Sequence, residues 1–320
     1  MAVLDNRLKR GITRRRQNPG DIVFRGWTLL MAATLLLLIA LLVFELLVRA
    51  WPGITRYGWR FLFDQTWDPV ALKFGALPAI YGTVVSSLLA LAIAGPMGLL
   101  AAIFLAELCP RWLDAPLSFL IELLASIPSV VYGLWGLYVL VPILRNPVQT
   151  SLHRYLGFLP FFHGPAYGLG MMAAVAILAI MILPYMTAVT RDMLRAVPND
   201  QREAILALGA TRWEAIWRAV VPYARSGIIG GLMLALGRAV GETMAVTMLI
   251  GNRPEISASL FSPAYTLASQ IANEFTEATS SLYVGALVEL AIILFAITLI
   301  LNGVARLLVW QMNRGLARRS

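Results

Sequence analysis

The stretch VPNDQREAILALGATRWEAIWRAVVPY, residues 197–223, decides the fold. Pro198 and Asn199 interrupt whatever helix precedes them. Asp200 stands three residues before Glu203, a capping-box spacing that predicts a helix start. The helix carries Ala204, Ile205, Leu206, Ala207 and Leu208, and Gly209 stops it as a C-terminal cap. Thr211 and Glu214 form a second capping-box pair, and the helix they start is predicted to end at Val221 and Pro222. The outcome is a helix–Gly–helix elbow over 198–222. Short helices of this kind are marginal alone. Their apolar residues, Ile205, Leu206, Leu208, Trp213, Ile216 and Trp217, need a surface to pack on. Two surfaces fit: lipid headgroups, which would attract the arginines, or a docking partner on the water side.

The sequence around the elbow is that of a membrane protein. Of its 320 residues 59% are apolar and only 13% charged, against about 45–50% and about 25% in soluble domains. A bilayer core of about 30 Å needs about 20 apolar residues per helix. Six windows qualify: 27–48, 77–106, 117–141, 167–189, 227–250 and 282–301. They predict an all-α fold with a basic tail over 1–26, a six-helix domain over 27–310 and a short tail over 311–320. The first window is too long for a signal-peptide core and has no small-x-small site after it, so it reads as an anchor. Pro96 follows Gly95 in the second window, where a kink is expected, and Pro128 sits inside the third. The single cysteine, Cys109, excludes an internal disulfide.

Most of the 26 Lys and Arg residues fall on one side of these spans. Arg7, Lys9, Arg10, Arg14, Arg15, Arg16 and Arg25 precede the first; Arg191, Arg195, Arg202, Arg212, Arg218 and Arg225 flank or lie in the elbow; Arg306, Arg314, Arg318 and Arg319 follow the last. The positive-inside rule then predicts both termini and the elbow in the cytoplasm. The net charge of +9 is a topology signal, and nucleic acid is not expected as a partner. Lys9 and Lys73, the two lysines, precede Arg10 and Phe74, so neither can serve a Gly-Lys-Ser/Thr nucleotide loop. ATP and magnesium, where they drive this protein, are expected on other chains, and no cofactor is expected on this one.

The elbow resembles the EAA loop of ATP-binding-cassette importer permeases, in which Glu-Ala-Ala is followed after three residues by Gly and after nine more by Ile-x-Leu-Pro. Glu203, Ala204, Gly209 and Pro222 keep that spacing; Ile205, Ala219 and Val221 depart from it while staying apolar. Three further stretches are similar to the phosphate-importer permeases of PstC type: FGALPAIYGTVVSSLLALAIAGPMGLLAAIFLAE (74–107), IPSVVYGLWGLYVLVP (127–142) and GRAVGETMAVTMLIGN (237–252). With the elbow they cover roughly residues 70–255. The resemblance implies the fold of a type I importer permease in the bacterial inner membrane. It implies a sister permease (PstA-type), two ATPase subunits (PstB-type) carrying the ATP and magnesium, and a phosphate-binding protein (PstS-type). It makes the first elbow helix a coupling helix, with Glu203, Ala204, Ile205, Leu208, Gly209 and Pro222 as the ATPase contact.

Ionisable residues within spans are costly and mark pathways. Glu45, Glu122, Arg238, Glu242 and Glu289 qualify, and Arg238 is the one cation among them. Glu242, four residues on, is expected on the same helical face. A guanidinium matches phosphate oxygens bidentately, and a screened one would let the anion go again. The same two residues could also neutralise each other as a structural pair. The resemblance favours the pathway, since the matching Arg and Glu are regarded as functional in that family. Glu45 reads as snorkelling, and Glu122 and Glu289 as hydrogen-bonded to neighbouring helices. Gly133, Gly136, Gly227, Gly230, Gly231, Gly237 and Gly241 read as close helix packing. Trp51, Tyr57, Trp59, Phe61, Phe63 and Trp67 read as an interfacial belt. His153 and His163 lack a nearby carboxylate and are not expected to bind metal.

A different class remains open on the residues alone: a channel or ion-coupled carrier for an oxyanion, working without an ATPase. Liposomes holding this chain by itself separate the two. No phosphate flux is expected from them; a flux that grows with the amount of reconstituted chain would establish the carrier instead.

Overall fold

The computed structural model describes residues 19–317. The parts of the expected tails at 1–18 and 318–320 lie outside that range. Among the described residues the fold is helical, apart from isolated bridges of Asp68 with Lys73 and Gly251 with Ala264. Ten helices carry it: α1 Pro19–Tyr57, α2 Leu77–Leu108, α3 Arg111–Ser126, α4 Ser129–Leu156, α5 Met171–Arg195, α6 Asn199–Ala207, α7 Arg212–Val240, α8 Met244–Leu249, α9 Leu267–Glu274 and α10 Ser281–Ala317. Six of these, α1, α2, α4, α5, α7 and α10, contain stretches long and apolar enough to cross a membrane. The residues up to Val48 and those from Arg49 onward form two compact units. In the first, all the leucines of α1 but Leu46 are exposed, as suits a helix in lipid.

In the second unit α5 is the central helix, with α2, α3 and α7 packed along it. Ala90, Ala94, Ala174, Leu178, Ile182, Met186, Ala235 and Ala239 form the shared core. The abundance of alanine lets the backbones approach where lipid offers no hydrophobic drive. A second cluster lies where α9 and the start of α10 meet the segment before α2. There Glu274, 7% exposed, accepts hydrogen bonds from Trp67 Nε1 (2.6 Å) and Tyr283 Oη (2.7 Å) on one carboxylate oxygen. Phe61 and Trp67 are buried in this cluster, so the expected interfacial belt holds them as core instead; Trp51, Trp59 and Phe63 are exposed.

Two expected spans are broken. The helix predicted over 117–141 ends at Ser126, Ile127 and Pro128 are extended, and α4 starts at Ser129. The ring of Pro128 pushes Ile127 out of the helical region, to φ −62° and ψ 131°. The helix predicted over 227–250 stops at Val240 and restarts as α8 at Met244. Elsewhere the chain runs on where a stop was expected. Pro222 does not end the second elbow helix: a widened π turn over Ile216–Val220 carries the chain past it to Val240. The fourth span begins at Met171 and reaches Arg195, so Arg191 is helical.

Close approach fixes Gly82 on α2. A Cβ there would stand 1.9 Å from the carbonyl oxygen of Tyr265, just ahead of α9. Backbone cannot yield as a flexible side chain can. Gly82→Val should therefore lower the stability of the purified protein by about 1–3 kcal/mol, read as a fall in thermal unfolding midpoint in detergent. An unchanged midpoint would mean the approach relaxes freely.

Candidate functional site

The two helix breaks face each other. α4 and α8 leave them side by side in close contact: a Cβ on Gly133 would meet Met248 Sδ at 2.5 Å and Ala245 Cα at 3.2 Å, and one on Gly136 would meet Leu249 Cδ1 at 2.6 Å. Each break satisfies backbone groups locally. Tyr132 Oη, on α4, donates to the carbonyl of Leu124, on α3, at 2.8 Å. Glu242 Oε1 accepts the N–H of Ala245 at 3.4 Å, and Thr243 Oγ1 donates to Gly241 O at 3.3 Å.

The break rearranges the two charges that the sequence placed on one face. Arg238 lies in the last turn of α7, where the helix dipole favours a cation. Glu242 lies beyond the helix end and turns toward the first turn of α8, where the dipole favours an anion. Among the described residues no ion pair joins them. The half-buried guanidinium instead stands 5.9 Å from the ring centroid of Tyr185 on α5, a cation–π distance. In place of the two-residue screen expected from spacing, the guanidinium meets the face of Tyr185.

The second candidate site is the elbow. α6 begins at Asn199, with the extended Pro198 at its N-cap; the expected Asp200–Glu203 capping box is not formed, because the helix starts two residues earlier and Asp200 already lies in its first turn. Gly209 has φ +86°, a left-handed conformation that releases the chain from α6. Thr211 and Glu214 form the reciprocal box, with Thr211 N–H to Glu214 Oε2 at 2.9 Å and Glu214 N–H to Thr211 Oγ1 at 3.3 Å. Between α6 and the first turns of α7 lies a groove of about 550 Å³. Ala204, Ile205, Leu208 and Pro222 line it together; Glu203 and Gly209 are exposed outside it. Leu208 is 86% exposed and Trp213 56%, apolar surface on the elbow side that calls for a partner.

Spacing did not reveal the ion pairs that hold this end together. Glu122 pairs with Arg191 at 2.9 Å, Asp114 pairs with Arg195, and Glu107 pairs with Arg202 at 2.7 Å. Each joins an acid from 107–122 to an arginine from 191–202. Among the described residues no group of three or more His, Cys, Asp or Glu side chains is disposed to hold a metal.

The model of the family described as binding-protein-dependent transport system inner membrane component matches residues 94–314. The phosphate transport system permease protein PstC of Mesorhizobium japonicum is 46% identical over 96% of this chain and 95% of its own length. That of Pasteurella multocida is 44% identical over 93% and 94%. The chain belongs to the PstC group of this permease family. An archaeal PstC relative, described as probable, from Methanocaldococcus jannaschii, is 35% identical over 82% of the chain and 86% of its own length. Among solved structures, a chain of the bacterial alginate ABC transporter, in complex with its alginate pentasaccharide-bound periplasmic protein, superposes with TM-score 0.59 at 18% identity, covering 90% of this chain and 96% of that one. That likeness extends the fold to importers of unrelated cargo. As a PstC-group permease the chain is a multi-pass membrane component of an ABC transporter that works with a substrate-binding protein and other ABC subunits.

Proposed function

We propose that this PstC-group permease passes inorganic phosphate across the bacterial inner membrane as one half of a translocation path, with a PstA-type permease forming the other half. Two PstB-type ATPases dock on the elbow from the cytoplasm, and a PstS-type protein delivers phosphate from outside. Both termini lie on the cytoplasmic side, as the arginine distribution supports. ATP and magnesium stay on the ATPases, since this chain has no lysine in a nucleotide-loop context. The phosphate follows from the names of the relatives and from the chemistry at the breaks.

Arg238 is the observation that carries the reading. An arginine within a membrane helix costs about 2.5–3.5 kcal/mol on insertion scales. Among the described residues no carboxylate is ion-paired with it. A helix end and the face of Tyr185 stabilise it while leaving its outward donors to meet an oxyanion. Those contacts are weak enough for release as well as capture. Arg238→Gln should abolish phosphate uptake by the assembled complex in proteoliposomes while the subunits still co-purify. Undiminished uptake would sink this role.

The elbow transmits ATPase closure to the membrane helices. Proline cannot adopt the φ of +86° at Gly209, and Glu203 is exposed where a partner would meet it. Gly209→Pro and Glu203→Lys should each uncouple ATP hydrolysis from uptake without removing the chain from the membrane. Normal phosphate transported per ATP in both variants would count against the elbow.

A further inference from the structure

A helix that transmits motion must be fastened to what it moves. α6 is nine residues long and has no buried residue, so hydrophobic packing does little to fasten it. The chain itself links it to α5 through Ala196, Val197 and Pro198, and to α7 through Gly209. It has no such link to α2, whose last turn holds the partner of Arg202, ninety-five residues earlier in the chain.

One side chain supplies that link. Arg202, on α6, donates from Nε to both oxygens of Glu107 at 3.2 Å and from Nη2 to Oε1 at 2.7 Å. Glu107 lies in the last, widened turn of α2. The same guanidinium donates from Nη2 to the Leu194 carbonyl at 2.9 Å, and from Nη1 to the Val197 carbonyl and to Asn199 Oδ1. Leu194 O is one of the last carbonyls of α5, where it also accepts the Val197 N–H at 3.3 Å. One planar fork therefore fastens α6 to the ends of two membrane helices at once. The pair is sheltered: Arg202 is 18% exposed and Glu107 12%. Exposed pairs hold geometry weakly, but a sheltered, forked one fixes it. The two neighbouring pairs serve a different contact. Arg191–Glu122 and Arg195–Asp114 hold α5 to α3 and do not touch α6.

We propose that Arg202 and Glu107 are positioning residues for coupling: they form the joint through which displacement of the elbow helix is passed to α2 and α5. The joint rests on the elbow being the ATPase contact. Lysine, with one compact ammonium, cannot span the carboxylate and both carbonyls, so charge alone does not replace the fork.

The test uses the complete complex in proteoliposomes, with phosphate transported per ATP hydrolysed measured for each assembled complex. A merely structural role lowers the number of complexes and leaves that ratio unchanged. Glu107→Gln and Arg202→Gln should each lower the ratio about tenfold, within the span of ordinary coupling free energies. Arg202→Lys should fall in between, and Glu107→Asp should keep most of the wild-type ratio. The double variant E107Q/R202Q should be no worse than either single one, because both remove the same joint. A wild-type ratio in the single variants overturns the proposal. So does a loss confined to complex abundance, or losses that multiply in the double variant. Gly209→Pro, measured alongside, separates the two readings. If it uncouples and the Arg202 and Glu107 variants do not, the joint alone falls; if it too stays coupled, the elbow falls with it.

Discussion

In lipid every backbone N–H and C=O must find a partner within the protein, and a broken helix is tolerated only where protein covers the break. The fold is arranged around that demand. Ile127–Pro128 and Gly241–Thr243 interrupt two helices, and the freed groups are taken up at short range: the Leu124 carbonyl by Tyr132, the Ala245 N–H by Glu242. The helices leaving the breaks, α4 and α8, are pressed together at Gly133 and Gly136, where any side chain would strike Ala245, Met248 or Leu249. Ile177 and Met181 of α5 join the same cluster, which explains why the central helix is also the most buried. The breaks are built in, with their own partners and their own cover.

The second break also decides what the buried charges do. On a continuous helix Arg238 and Glu242 would sit four residues apart and neutralise each other. With the helix stopped at Val240, each charge instead meets a terminus of the sign that suits it. A guanidinium stabilised by a dipole and an aromatic face keeps more of its hydrogen-bonding capacity than one locked in a fork with a carboxylate. Arg202 is the contrasting case: its three nitrogens are all committed, which suits a joint and would not suit a passing anion.

The sequence made the spans, the elbow and the left-handed Gly209 legible, because each is a local matter of apolar run length or of backbone permissiveness. Two prolines mark where local reading stopped. Pro128 and Pro222 both lack the N–H a helix needs, yet the chain breaks at one and continues at the other. The difference is the π turn over Ile216–Val220, a shift of hydrogen-bond register that no residue type announces. Periodicity likewise runs through 227–250 without a fault and could not show that Glu242 would cap a new helix. The ion pairs were out of reach for another reason. Their members are 69, 81 and 95 residues apart, and with several acids and arginines on one side, pairing depends on how α2, α3, α5 and α6 are arranged.

These pairs and the breaks divide the second unit mechanically. On the elbow side, three arginines within 191–202 join α5 and α6 to the end of α2 and to α3, and the sheltered Arg202–Glu107 pair is the one that holds its geometry there. Bending a helix interior would sacrifice backbone hydrogen bonds in a medium that offers no replacements. At Ile127–Pro128 and Gly241–Thr243 the regular helical ladder is already interrupted, so a change of angle there costs least. A displacement entering at the elbow would therefore be carried by the fastened end as a body and released as bending at the two breaks. Arg238 stands one turn before the second of them. Its position relative to Glu242, on the far side of that break, is then what such bending changes. On the proposed function, the same motion that ATPase closure drives would alter how tightly the guanidinium can hold an anion.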